Sequence, residues 1–229
     1  MANYRFNELK KSVDYFMGAT EYHMHISTSN SKLGCIPSFN LMPGVTCSRE
    51  SCAHCLREGC YAVKNAFRAG YNVEKNAVLR SWSENTAYSF SDLDGLKNDL
   101  AVYLQSIRHT CKLFRIHSSG DFFSTEYAMM WYDLAMTFPE IRFLAFTKQW
   151  DIARSVPFYN LKNFSLVLSG WTGIAIPEDL RDHYRCAWCN DGQEMRIPSD
   201  AMVCPGSCES CGMCWYLSEL GRDTQFNKH

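Results

Sequence analysis

The sequence predicts an α/β protein built on a parallel sheet, and three observations predict it. Short apolar runs recur at residues 111–117 (CKLFRIH), 141–148 (IRFLAFTK) and 164–170 (FSLVLSG). Between the first two, Tyr127, Met130, Trp131, Leu134 and Phe138 repeat at helical period until Pro139 stops them. Strand, helix, strand, helix, strand is the order of βα units on a parallel sheet. After Gly170 the chain changes character: RCAWCNDGQEMRIPSDAMVCPGSCESCGMCW is cysteine-dense, short-turned and poor in helical period. Such a segment has little apolar area of its own and reads as a metal-stabilised subdomain wrapped on the sheet. The expected organisation is an α/β core at residues 1–180 and a Cys-rich C-terminal subdomain at 181–229, packed on it.

The remaining elements follow in order. A short helix is expected near residues 7–17. His23 and His25 alternate as on a strand and so share a face, where they are candidate metal or substrate ligands against exposed or core histidines. A polar, turn-rich stretch leads to SFNL, a short strand ended by Pro43 and Gly44, which delivers the chain into the first cysteines. Helical signals run over residues 71–88 and resume after Ser91, where Ser91 and Asp94 have capping-box spacing. Beyond it, Leu93, Leu96, Leu100, Tyr103, Leu104 and Ile107 mark one buried helical face. The aromatic and Met stripes are core.

Composition bounds the function. With 229 residues, 46% of them hydrophobic, the chain can bury a core without covalent staples. The first residues lack an apolar signal region, and no apolar run reaches the ~20 residues of a membrane span. A soluble cytoplasmic protein is expected, and in that compartment twelve cysteines point to metal or catalysis rather than to disulfides. Lys plus Arg total 23 against 24 Asp plus Glu, so no global basic field recruits nucleic acid.

Eight of the cysteines form two groups. Cys47, Cys52, Cys55 and Cys60 read C-x4-C-x2-C-x4-C; Cys204, Cys208, Cys211 and Cys214 read C-x3-C-x2-C-x2-C. Close spacing lets successive thiolates turn onto one centre, and four soft sulfurs suit zinc or iron–sulfur. Zinc commonly closes on two C-x2-C knuckles, which Cys186 and Cys189 with two later thiols would supply. The run Cys208, Cys211, Cys214 instead has the C-x2-C-x2-C spacing of iron–sulfur ferredoxins, which favours that centre. Cys111, at the start of a strand, reads as a small buried hydrophobe. Cys35, after a loop Gly, is either a ligand or inert.

Chemistry on a parallel sheet gathers at the carboxyl ends of its strands. There the sequence places the first cysteine group, the turn Ser118, Ser119, Gly120 and Asp121, the pair Thr147 and Lys148, and the run Ser169, Gly170 and Trp171. A polar turn alone is only a bend with Gly supplying it. Beside a cysteine group on the same rim it becomes a candidate site.

The ordered set SNSKLGCIPSFNLMPGVTC, CYA, LFRIHSSGDFFS, FLAFTK and CESCGMCW resembles the phage gene product 88 family over residues 29–215. The layout is also similar to that of radical S-adenosylmethionine enzymes, which carry a three-cysteine loop after the first strand and a small polar turn after the second. That resemblance implies a sheet like a partial (β/α) barrel. It implies that three first-group cysteines ligate a [4Fe-4S] cluster and that Ser118, Ser119, Gly120 and Asp121 contact the amino group of S-adenosylmethionine. Thr147 and Lys148 would share that rim, and the C-terminal cysteines would hold an auxiliary cluster. An electron donor and an unidentified small or macromolecular substrate follow, in the cytoplasm of an infected host bacterium. The sequence departs from those enzymes in three ways: the first cysteine gap is one residue longer, His54 stands where an aromatic is usual, and Cys60 adds a fourth thiol. The alternative is accordingly a non-catalytic protein stapled by zinc or iron–sulfur that contacts a host or phage macromolecule.

Overall fold

The computed structural model describes residues 2–48, 55, 60–194 and 196–227. The chain opens with helix α1 (Ala2–Asp14), then strands β1 (Ile26–Ser27) and β2 (Ser38–Phe39). Helices α2 (Tyr61–Ala66), α3 (Ala77–Ser91) and α4 (Leu93–Ile107) follow. The βα alternation continues through β3 (Leu113–Ile116), α5 (Thr125–Thr137), β4 (Arg142–Thr147), α6 (Trp150–Ser155) and β5 (Phe164–Gly170). The last part holds α7 (Glu178–Arg181), β6 (Arg185–Asn190), β7 (Met202–Val203), α8 (Cys208–Cys211), α9 (Leu217–Leu220) and β8 (Thr224–Asn227).

The strands form one sheet of eight in the order β1-β2-β3-β4-β5-β6-β8-β7, and every pairing except β1 with β2 is parallel. The fold is therefore α/β with a mostly parallel sheet. Among the described residues β1 and β7 are its two edges, and no pairing joins them. The C-terminal stretch contributes β6, β7 and β8 to this sheet, so Cys186 and Cys189 lie on a buried strand rather than in a loop. Strand side chains alternate, so two thiols three positions apart point to opposite faces. Held that way, Cys186 and Cys189 cannot turn onto one ion.

Two apolar layers sandwich the sheet. On one face Leu96, Leu100, Tyr127, Trp131 and Leu134 of α4 and α5 pack on Phe114, Phe143, Leu166 and Trp188. On the other, Leu33, Ile36, Trp215 and Leu217 pack on Leu144, Val167 and Ala187. The central strand β5 is buried at all seven positions, as a parallel strand covered on both faces must be. A smaller cluster joins Leu9 and Val13 of α1 to Val63, Leu79 and Ala87.

Local chemistry shifts some boundaries. The N-cap of α4 is Asp92, whose side chain accepts from Gly95 N at 2.9 Å, and Ser91 ends the preceding helix instead of capping this one. Helix α3 starts at Ala77, because Asn76 caps it by accepting from Leu79 N and ties its amide to the carbonyls of Ala66 and Gly70. Cys111 precedes β3, is only partly buried and donates its thiol to Leu113 O, so it is not a core hydrophobe. His25 packs its ring Nε2 2.8 Å from Glu84 Oε2, which gives it a carboxylate partner distant in sequence.

Candidate metal and cofactor site

All the parallel strands end at one edge, and the loops there tie to each other. Leu41 N donates to Ser119 O, Ser118 N to Asn40 Oδ1, and Asp121 N to Thr46 Oγ1. The turn after β3 is thereby stitched to the turn after β2. Gly120 (φ +83°) makes this approach possible: a Cβ there would lie 2.7 Å from Leu41 Cβ and Thr46 Oγ1. His117 also has positive φ (+61°), and its buried ring meets Tyr127 Oη at 2.7 Å.

Asp121 organises the next strand end. Its carboxylate accepts from Thr147 Oγ1 at 2.8 Å, Lys148 N at 2.9 Å and Phe122 N at 2.8 Å. Burial pushes its pKa up to about 6, against these three donors and the nearby Lys148 charge. Lys148 Nζ reaches over Trp171 at 5.5 Å from the ring centroid, and Gln149 Nε2 donates to Thr46 O. The six residues Ser118, Ser119, Gly120, Asp121, Thr147 and Lys148 are thus brought together. The Ser118 and Ser119 hydroxyls are buried there with no partner among the described residues. Orphaned buried hydroxyls of this kind suit a ligand with polar atoms.

The described members of the first cysteine group, Cys47, Cys55 and Cys60, lie near this rim. Cys47 Sγ accepts from Gly44 N, Cys60 immediately precedes α2 without a side-chain capping bond, and Tyr61 donates its hydroxyl to Ser118 O. Burial raises the Cys55 thiol; the Lys148 charge opposes that, and Cys60 and Asp121 reinforce it. Cys55 therefore sits among Cys60, Lys148 and Asp121. Cys52 and His54 lie outside the described residues.

The family model for gene product 88 matches residues 16–188. The chain belongs to the gene product 88 family. One relative, the Gene 88 protein of Mycobacterium phage D29, is 27% identical over 164 residues, covering 70% of this chain and 67% of that protein. No solved structure matches. The gene product 88 match contains the first cysteine group, the turn at 118–121, Thr147 and Lys148, and stops before the C-terminal cysteines. It begins and ends earlier than the span of 29–215 read from the motifs.

Beyond the matched residues, Cys204, Cys208, Cys211 and Cys214 all line one small pocket with Met202, Met213 and Trp215. The segment is anchored to the sheet face: Trp215 Nε1 donates to Phe114 O at 3.0 Å, Ser165 Oγ to Cys214 O at 2.9 Å, and Cys208 N to Lys32 O at 2.7 Å. Cys35 joins the neighbourhood through its N–H, which donates to Glu209 Oε1. Burial raises the Cys208 thiol and pushes Cys214 up to about 12, while Arg115 pulls both down. Among the described residues no group of three or more His, Cys, Asp or Glu side chains is arranged to hold a metal ion. The four thiols thus share a pocket without standing at ligand distances. As a donor set, four soft sulfurs around one small space fit a thiolate-bound centre.

The Tyr61 hydroxyl is within electrostatic reach of Cys47 and Cys60 on one side and of Cys208 and Arg115 on the other. Sequence reasoning missed Thr46, Tyr61 and Arg115. A charged residue inside the apolar run LFRI was the available signal for Arg115, and the aromatic directly after Cys60 the signal for Tyr61. Thr46 left none.

Proposed function

We propose that this is an iron–sulfur phage protein that works as a radical S-adenosylmethionine-like enzyme. The observation that carries the reading is the nearness of described first-group cysteines to the rim at residues 118–121: Tyr61, next to Cys60, donates to Ser118 O, and Asp121 acts on the charge of Cys55. Three of Cys47, Cys52, Cys55 and Cys60 would hold a [4Fe-4S] cluster, which when bound supplies one-electron reduction of S-adenosylmethionine. The chain's own part is positioning. Ser118 and Ser119 offer unsatisfied hydroxyls to a polar ligand, and Gly120 keeps the turn close to the β2 loop. Asp121, oriented by Thr147 and Lys148 N, offers a carboxylate beside an amino group. Lys148 supplies positive charge over Trp171. The sequential parallel strands suit a partial (β/α) barrel, and no helix among the described residues is long and apolar enough to cross a membrane.

The test is anaerobic purification with iron, sulfide and zinc analysis, then reduction with S-adenosylmethionine present. Iron and sulfide in cluster ratio, with release of 5′-deoxyadenosine, are expected. Replacing each first-group cysteine by Ala in turn should leave one variant that still binds the cluster, because an open iron uses three protein ligands. Stoichiometric zinc, loss of the centre in all four variants and no cleavage would overturn the enzyme reading. The second reading, a protein stapled by closed metal sites, is favoured by the C-terminal pocket, which four cysteines rather than three line.

A further inference from the structure

Arg115 stands in the middle of β3 on the face that carries the cysteines. Its guanidinium donates to His117 O at 3.3 Å through Nε and Nη2, and stacks over Phe146 at 4.1 Å. It forms no ion pair with a carboxylate among the described residues, although it is only partly exposed and lies amid protein. A desolvated cation without a counter-charge is costly, and a carbonyl with one ring face offsets only part of that. Leu113, two positions before it and on the same strand face, packs with Cys208 and Cys214, and the groups whose charge bears on Arg115 are Tyr61, Cys208 and Cys214. Lys32 adds an exposed cation beside the group: its carbonyl accepts from Cys208 N, its Nζ rests over Phe226 at 5.9 Å, and it has no carboxylate partner among the described residues.

We infer that Arg115, assisted by Lys32, is the counter-charge of the C-terminal cysteine group, placed to stabilise the anionic centre that forms when its thiols bind metal. This rests on the reading of those cysteines as a metal site. The charge arithmetic sets the sign. Four neutral thiols that bind one divalent ion release four protons and leave a centre of net charge about −2, so a fixed neighbouring cation favours the loaded state although it repels the free ion. For an iron–sulfur centre the same cation also favours the reduced, more negative form and raises the midpoint potential. Arg115 is a positioning residue here: it ligates nothing, and acts through field.

Anaerobic titration of the full-length apoprotein with cobalt, read by thiolate-to-cobalt charge transfer, tests this. Loss of one ion in Cys211→Ser identifies the absorption of the C-terminal group. Arg115→Met should weaken that site about tenfold, the effect of one nearby charge in a partly solvated setting. Arg115→Lys should restore most of the affinity. Lys32→Met, an exposed change, should weaken the same site by a smaller factor, and it serves as the test if Arg115→Met does not fold. After reconstitution with iron and sulfide, the Met variants should show a lower midpoint potential than wild type. Equal cobalt affinity and potential in wild type and the Met variants would overturn the inference, as would Arg115→Lys behaving like Arg115→Met. A wild-type chain that binds neither cobalt nor an iron–sulfur centre overturns the metal reading beneath it, which separates the two failures.

Discussion

Gly120 and Asp121 hold adjacent positions with different demands. A methyl on Gly120 would press on Leu41 and Thr46 in a backbone conformation that L-residues avoid, so Gly120→Ala should cost about 1–3 kcal/mol in urea unfolding. Asp121→Asn turns one acceptor towards Lys148 N into a donor and should cost about 1–3 kcal/mol at pH 8. The pH dependence has a definite sign. With the folded pKa raised to about 6 from 3.8, the proton-linked part of the Asp121 contribution is fully present below 3.8 and is lost as pH rises through about 6, while the hydrogen bonds to the ionised carboxylate remain. His117 works in the opposite direction. Burial lowers its pKa to about 3 from 6.5, so its contribution is present above 6.5 and is lost as pH falls towards 3. His117→Asn, which tolerates the positive φ, should therefore lose less stability than wild type between pH 7 and 4 in thermal melts.

Among the elements, β5 and β6 carry the heaviest packing demand. Leu168, fully buried in the helix-side core, should cost about 2–5 kcal/mol when changed to Ala. Asp223, just before β8, accepts from Cys186 N at 2.9 Å and Trp188 Nε1 at 2.8 Å, so Asp223→Ala strands two buried donors and should cost about 2–4 kcal/mol. Both changes should lower the urea midpoint, and an unchanged midpoint would contradict the packing. The βα core was legible because FSLVLSG and FLAFTK are too apolar and too short for anything but covered strands. The cap of α4 was misassigned because Ser91 and Asp92 are adjacent candidates, and only the observed bond to Gly95 decides between them. The role of RCAWCN was hidden by its two cysteines, whose metal-knuckle spacing masked a strand buried on both faces. The rim at 118–121 was legible from strand ends alone. Arg115 was not, since its importance depends on Cys208 and Cys214, about a hundred residues away.

For the whole molecule, metal content sets the main expectation. A ligand held only by the folded chain adds stability by mass action, so chelation or cluster loss should lower the melting temperature and uncouple the 204–217 segment in hydrogen exchange before the sheet opens. An unchanged melting curve after complete metal removal would show that the cysteines contribute nothing to the fold. The linear strand order has a kinetic side as well. From β2 to β6 each parallel strand lies beside the one made just before it, so the sheet can extend in step with synthesis and needs few distant encounters. Trp215 and the four C-terminal cysteines, which cover the opposite face, emerge only when that growth is nearly done. Throughout synthesis of β3, β4 and β5 the face bearing Arg115 therefore has only the stretch of Leu33 and Ile36 to cover it. On the proposed metal reading, the C-terminal thiols can gather only after most of the sheet beneath them has been made.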